Sequence, residues 1–241
     1  KTGVLSLTGH GLGEIPDAVW SIEKMTTFDM SSNEIKSISA SISKFKSLKT
    51  LKLDNNKIVD FPEEFADLPK LNTLSAGDNL LRPGSLANLP KPPTSKLVKL
   101  VVPRNRLGNS ALEDAVFLTS LQNLVVSGNN ITIIPTAISA LVSLIELDLD
   151  DNKIETVPEE IGKLSKLKIL SLRNNSIQGD KIPSTGFQTL PETLFMDTKL
   201  ERLNLEGNPI TRRQLNDFKG VDTWIERCSK TKQKDLALYM N

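Results

Sequence analysis

The sequence predicts an α/β solenoid, a curved horseshoe of nine tandem units whose short strands form one parallel concave sheet. Two observations lead to this prediction. An asparagine returns at a nearly constant interval, as in the 23 residues from Asn33 to Asn56, and leucines with a period of two precede it. A unit that repeats so regularly can bury its apolar side only against its neighbours, and stacked units of this kind form a solenoid.

The asparagine closes a strand motif in each unit. The motif reads L-x-x-L-x-L-x-x-N-x-L with apolar substitutes, as in Leu48, Leu51, Leu53, Asn56 and Ile58. Its leucines should face the core and the residues between them solvent. A side-chain amide can donate to and accept from the backbone where each strand ends, so we predict a structural ladder of such residues. Its members are His10, Asn33, Asn56, Asn79, Asn105, Asn129, Asn152, Asn175 and Asn208, with histidine standing in at the first position.

The second half of the units predicts short helices or turns on the convex side. Proline suits the first turn of a helix, and it follows an apolar residue at Pro16, Pro62, Pro135 and Pro158. We assign the nine repeats to residues 1–210, with insertions near 82–96 and 179–199. The non-repeating residues 211–241 are expected to form a C-terminal helical cap and tail.

Composition argues against several classes of function. With 30 Lys and Arg against 29 Asp and Glu, no global charge favours a nucleic-acid partner. One histidine and one cysteine give neither a metal cluster nor a disulfide framework, so we expect no metal and no cofactor. His10 and Cys228 should lie at opposite ends of the array, which excludes a Cys–His enzyme within this chain. The lone thiol suits a reducing, cytoplasmic compartment.

Outward strand residues of the middle units predict a partner-binding site on the concave sheet. Four of them are apolar and are expected to form one contiguous patch, flanked by charged residues as in protein interfaces. The predicted partner-binding residues are Val98, Val101, Arg104, Val125, Ile145, Asp148, Asp150 and Arg173. Two other interpretations stay open: strand propensity explains the Val and Ile residues, and cross-strand ion pairs with Lys168 and Arg173 explain the acidic ones.

The repeated unit resembles the short intracellular class of leucine-rich repeats found in Ras-group scaffold proteins. The segments Lys1-Thr2-Gly3-Val4 and Phe218-Lys219-Gly220-Val221-Asp222 are similar to those of the leucine-rich repeat-containing protein 57 family. This resemblance implies a cytosolic, non-enzymatic leucine-rich repeat solenoid that binds a protein partner. That family includes myristoylation-type N-termini. The sequence begins at Lys1, so we expect membrane contact only if a preceding segment is lipidated.

Two functions are therefore compatible with the sequence. The first is a non-catalytic protein–protein interaction scaffold in signalling, with its partner on the concave face. The alternative is a structural subunit of a large assembly, held through the insertions and the C-terminal cap.

Overall fold

The computed structural model describes residues 3–22, 24–93, 95–179 and 189–230. Within these ranges nine three-residue strands form one open parallel sheet, in which the strand order follows the sequence order. The predicted fold class is confirmed. The strands β1 to β9 are Val4–Ser6, Thr27–Asp29, Thr50–Lys52, Thr73–Ser75, Lys99–Val101, Asn123–Val125, Glu146–Asp148, Ile169–Ser171 and Arg202–Asn204.

Equivalent positions of successive units form rows across the sheet. The central residue of each strand pairs with the next, as Leu51 does with Leu74 and Leu100 with Leu124. From β2 onward these central residues are buried in one continuous hydrophobic core. The residues on either side of them, such as Lys99 and Val101 in β5, are not buried. We call the surface formed by these flanking residues, and by the turn residues that follow them, the sheet face.

The opposite side of the units carries short helices. Among the described residues, six are 3-10 helices, at Asp17–Ser21, Ala40–Lys44, Glu63–Asp67, Ser85–Asn88, Thr136–Ala140 and Glu159–Lys163. The α-helices α1 (Ser110–Ala115) and α2 (Glu192–Met196) occupy the same side, with α1 against Ser85–Asn88 and α2 against Glu159–Lys163. The prolines lie one residue earlier than predicted, at the N-cap. There Pro62, in an extended conformation, accepts the first helical hydrogen bond from Phe65 N at 3.1 Å.

The repeated asparagines connect each unit to the one before it. Asn129, fully buried, donates from Nδ2 to Val102 O of the preceding unit at 2.9 Å. It also donates to Val126 O and Ser127 O at the end of its own strand, and Oδ1 accepts from Leu107 N. The same pattern, in which Nδ2 donates to one carbonyl of the preceding unit and to two carbonyls of its own unit, recurs at Asn33, Asn56, Asn79, Asn105, Asn152 and Asn175.

His10 does not form the first rung that the sequence predicts. Its side chain is exposed, and its Nδ1 lies 2.9 Å from Thr8 O of its own unit. A rung donates to a carbonyl of the preceding unit, as Asn33 does to Leu7 O. No described strand precedes β1, so the histidine has no such acceptor and contacts a carbonyl at the sheet edge instead.

Two helices cover the C-terminal end of the sheet. They are α3 (Arg212–Asn216), which begins with a Thr211–Gln214 capping box, and α4 (Val221–Lys230). Trp224 is 2% exposed; its Nε1 donates to Leu200 O at 2.9 Å, and its ring centroid is 5.7 Å from that of Phe195. Much of the predicted 179–199 insertion, at 180–188, and the predicted tail, at 231–241, lie outside the described residues. No helix in the described ranges is both long and apolar enough to cross a membrane.

Candidate partner-binding site

The structure brings together two of the four predicted apolar residues. Val101 and Val125 pair in register on β5 and β6, and both are half-buried on the sheet face. Val98 and Ile145 belong to a different row, three positions before that of Val101 and Val125 in the repeat. In their row Gln122 lies between them, because Gln122 N donates to Val98 O and Ile145 N donates to Gln122 O, each at 2.8 Å. The expected contiguous patch of four therefore does not form, because the register assigns its members to two different rows.

Acidic residues of β7 and its turn lie beside this valine pair. Asp148 pairs in register with Val125, and its Oδ1 accepts a hydrogen bond from Asp150 N at 3.0 Å. Asp150 in turn accepts from Arg173 N at 2.7 Å. Glu146 Oε2 accepts from Asn123 Nδ2 at 2.6 Å. These carboxylates are thus held by neutral donors, which leave their negative charge in place.

The cations predicted to flank the site form ion pairs with other acids. Arg104 donates from Nε and Nη2 to Asp78, in the turn that follows β4, with both distances at 2.5 Å. Arg173 Nε lies 3.1 Å from Glu206 Oε2, on the side away from β7. Arg173 lies between Asp150 and Glu206. Its guanidinium pairs with Glu206, and its backbone N–H donates to Asp150.

Lys168 pairs in the same direction, with Nζ 2.8 Å from Glu201 Oε1. The ion pairs expected between the acidic residues of the seventh unit and Lys168 and Arg173 of the eighth are therefore absent from the described part of the chain. In that part, no lysine or arginine nitrogen lies within ion-pairing distance of a carboxylate of Glu146, Asp148, Asp150 or Asp151.

A cavity of about 240 Å³ opens on the sheet face between β7 and β9. Drug-sized ligands occupy pockets of roughly 300–1,000 Å³, so this one is suited to a single side chain. It is lined by Glu146, Asp148, Ile169, Ser171, Arg202 and Asn204. Of these, the sequence selected only Asp148. Glu146, Ile169 and Arg202 occupy one row on adjacent strands. Their shared position in the repeat is the sequence signal that identifies them.

Two aspartates at the same repeat position have opposite pKa shifts. Burial raises the pKa of Asp148 and outweighs the hydrogen bonds from Asp150 N and Ser127 that lower it, and repulsion from Asp150 and Glu146 acts in the same direction as burial. Burial also acts on Asp29 of β2, but hydrogen bonds from Ser31 and Thr8 and a lysine, Lys52 Nζ at 3.6 Å, hold its pKa below the usual value. The charge on Asp148 therefore opposes folding, whereas the charge on Asp29 favours it.

This contrast predicts opposite effects of the same substitution. A folded-state pKa above the unfolded value of about 3.9 means that stability falls as the pH rises from that value through the folded-state pKa. Asp148→Asn removes this loss while an amide oxygen still accepts from Asp150 N, so we expect its Tm at pH 7 to rise by about 1–3 °C. Asp29→Asn should lower Tm by a similar amount. Thermal melts at pH 7 and pH 4 test both signs, and the two effects should shrink at pH 4.

Asn204 supports this choice of substitution. It occupies the position of Asp148 in the ninth unit, and its Oδ1 accepts from Glu206 N at 3.1 Å, as Asp148 Oδ1 does from Asp150 N. A neutral amide oxygen thus accepts the same hydrogen bond within the turn as the carboxylate of Asp148 does. A lower Tm for Asp148→Asn would contradict the unfavourable charge inferred at this position.

Sequence comparison agrees with the geometry. Leucine-rich repeat family profiles match residues 23–81, 95–154, 166–190 and 199–221. No curated protein sequence matches the chain significantly, so the narrower resemblance to the protein 57 family stays a prediction.

Several solved structures share the fold. A leucine-rich repeat protein of Leptospira interrogans is 29% identical with a TM-score of 0.75, over 93% of this chain and 59% of that one. The Arabidopsis receptor kinase HAESA, in complex with the peptide hormone IDA and the co-receptor SERK1, is 27% identical with a TM-score of 0.67, over 86% of this chain and 34% of that one.

The ectodomain of GASSHO1/SCHENGEN3 from Arabidopsis thaliana, in complex with CASPARIAN STRIP INTEGRITY FACTOR 2, is 25% identical with a TM-score of 0.63. The match covers 86% of this chain and 27% of that one. This chain therefore spans less than two thirds of each of the three relatives. The family profiles, the nine-stranded parallel sheet and the asparagine hydrogen bonds agree: the chain belongs to the leucine-rich repeat family.

Proposed function

We propose that this chain is a non-catalytic scaffold that binds a partner protein through the sheet face of β5 to β8. The observation that carries the proposal is the valine pair, Val101 and Val125, bordered by the β7 carboxylates that lack ion pairs among the described residues. An apolar centre beside charged groups is the usual composition of a protein interface. The residues proposed to contact or border the partner are Val98, Val101, Arg104, Val125, Ile145, Asp148, Asp150 and Arg173.

Relatives of known structure support this kind of function. HAESA and GASSHO1/SCHENGEN3 were both solved with peptides or proteins bound, and leucine-rich repeats are commonly interaction modules. We extend protein binding to this chain as part of the proposal. A cytoplasmic location and a role in signalling belong to the same proposal, supported by the single thiol and by the resemblance to Ras-group repeats.

Affinity capture from an extract of the source organism tests the sheet face directly. Val101→Glu/Val125→Glu adds two negative charges to the valine pair, and we expect the captured partner to be lost by about tenfold or more. The matched control is Ile133→Glu/Val142→Glu, which adds the same charges at side chains that lie outside the strands and are 61% and 53% exposed. Partners are identified by mass spectrometry, and purified partner is then titrated against each variant.

Both variants should keep the circular dichroism spectrum of the parent, because the four substituted side chains are not buried. Val101→Glu/Val125→Glu should have a lower Tm than its control, because the new charges lie opposite each other and beside Asp148, so binding is measured well below the Tm of both variants. Partners retained equally by both variants would contradict the proposal. That result would favour the alternative, a structural subunit held through residues 82–96, 179–199 or 211–241.

A further inference from the structure

The sheet face has one strand with a large uncompensated negative charge. Glu146 and Asp148 of β7, with Asp150 and Asp151 of its turn, contribute four carboxylates to neighbouring repeat positions. On β6 the equivalent positions carry no charge at all, since they are Gln122, Asn123, Val125, Ser127 and Gly128. Like charges held this close repel one another.

Within the described ranges, no lysine or arginine forms an ion pair with these four carboxylates. Lys168 and Arg173, which flank β8, form ion pairs with Glu201 and Glu206 of the ninth unit. Arg104 is paired with Asp78. Within the described part of the chain, the negative charge of β7 is therefore available to a cation from outside.

The cavity beside β7 is suited to the side chain of such a cation. Glu146 and Asp148 form its β7 side, and Ile169 on the adjacent strand offers an apolar surface to a side-chain stem. Arg202 lines the β9 side, and its backbone is two strand spacings, or about 10 Å, from that of Glu146. A lysine or arginine side chain would thus lie against the carboxylates, with its charge away from Arg202.

The arrangement of the carboxylates favours an organic cation over a metal ion. In the ranges that the structure describes, no three His, Cys, Asp or Glu side chains are grouped so that they could hold a metal. The β7 carboxylates are instead spread along the strand and its turn. Such a row matches a basic peptide segment better than a compact ion.

The distance between the valine pair and Asp148 defines how far apart the partner's apolar and basic side chains should be. Val101, Val125 and Asp148 occupy one row on β5, β6 and β7. The midpoint of the two valines is one and a half strand spacings, or about 7 Å, from Asp148. Two residues of an extended chain advance by about 6.7 Å and point their side chains to the same side. An extended segment crossing the strands can therefore place one apolar and one basic side chain, two residues apart, on the valines and on Asp148.

We propose that the partner binds through an extended basic segment in which an aliphatic residue and a Lys or Arg are two positions apart. This inference rests on the proposed function and specifies its partner. The aliphatic side chain packs on Val101 and Val125. The basic side chain enters the cavity and pairs with Glu146 and Asp148.

A random nonapeptide library displayed on phage and selected on the intact chain tests this specificity. We expect the selected peptides to be enriched in Lys or Arg two residues from an aliphatic residue. A representative selected peptide is then synthesised with a fluorophore and titrated by fluorescence anisotropy. Replacing its basic residue by glutamine should weaken binding by about tenfold or more, and so should raising the salt concentration, which screens ion pairs.

The chain variant for this test is Glu146→Gln/Asp148→Asn. Amide oxygens can still accept from Asn123 Nδ2 and Asp150 N, so the sheet should fold while two charges are lost. We expect peptide affinity to fall by about tenfold or more. The matched control is Glu155→Gln/Glu159→Gln, which makes the same change at exposed residues of the same unit that lie outside the sheet face. It should bind like the parent.

Three outcomes would overturn the inference: no selected peptide, a selection without basic enrichment, or equal affinity of the parent and Glu146→Gln/Asp148→Asn. The failure of this inference is distinguishable from the failure of the proposed function. A captured partner that requires the valine pair but binds Glu146→Gln/Asp148→Asn normally would leave the scaffold proposal standing and remove only the basic segment.

Discussion

Replacing Asn129 by alanine is expected to destabilise the chain by about 3–4 kcal/mol, which corresponds to a Tm lower by roughly 10 °C. The asparagine is fully buried and donates to three carbonyls, Val102 O, Val126 O and Ser127 O. It also accepts from Leu107 N. Alanine leaves these backbone groups without their partner in a site closed to bulk water, and each buried unsatisfied group costs about 1–3 kcal/mol before relaxation.

The matched comparison is Asn208→Ala at the end of the row. Asn208 is half-buried and donates to only two carbonyls, Leu172 O and Leu205 O, so we expect a loss of about 1–2 kcal/mol. Urea denaturation followed by circular dichroism measures both losses. Equal losses at the two positions would show that the number of buried hydrogen bonds does not determine what an asparagine contributes here.

Replacing Trp224 by alanine is expected to have the second large effect, a loss of about 3–5 kcal/mol. This side chain is the largest fully buried one at the C-terminal end, and it packs on Phe195 and donates to Leu200 O. Trp224→Phe keeps most of the apolar contact but removes the N–H, so it should cost only about 1–2 kcal/mol.

The loss at Trp224 should also be local. In a repeat protein each unit contacts only its neighbours, so opening at one end need not spread through the array. Hydrogen exchange resolved by strand should show faster exchange in β8 and β9 of Trp224→Ala, with β2 and β3 nearly unchanged. Uniformly faster exchange across all nine strands would contradict a local role of this helical end.

The sequence alone was sufficient for the fold and its register. The leucine and asparagine pattern is local to each unit, and one buried residue per strand with one amide per turn determines how neighbouring units stack. Extra residues did not disturb this: Thr73 and Lys99 pair although they are 26 residues apart, and Ile169 and Arg202 although they are 33 apart. In both cases the strands on either side of the extra residues keep the register of the rest of the sheet.

The site depended on choices that sequence spacing does not encode. Arg173 has an acid in both neighbouring units, and its guanidinium pairs with Glu206 while Asp150 accepts from its backbone N–H. Asp29 and Asp148 have the same repeat position and the same side chain, yet their pKa values shift in opposite directions. Hydrogen bonds from Ser31 and Thr8, with the charge of Lys52, outweigh burial at Asp29, whereas at Asp148 burial prevails beside other carboxylates. Repetition determines the backbone and the core, while the chemistry of each surface residue depends on side chains of the neighbouring units, distant in sequence, which only the tertiary structure brings together.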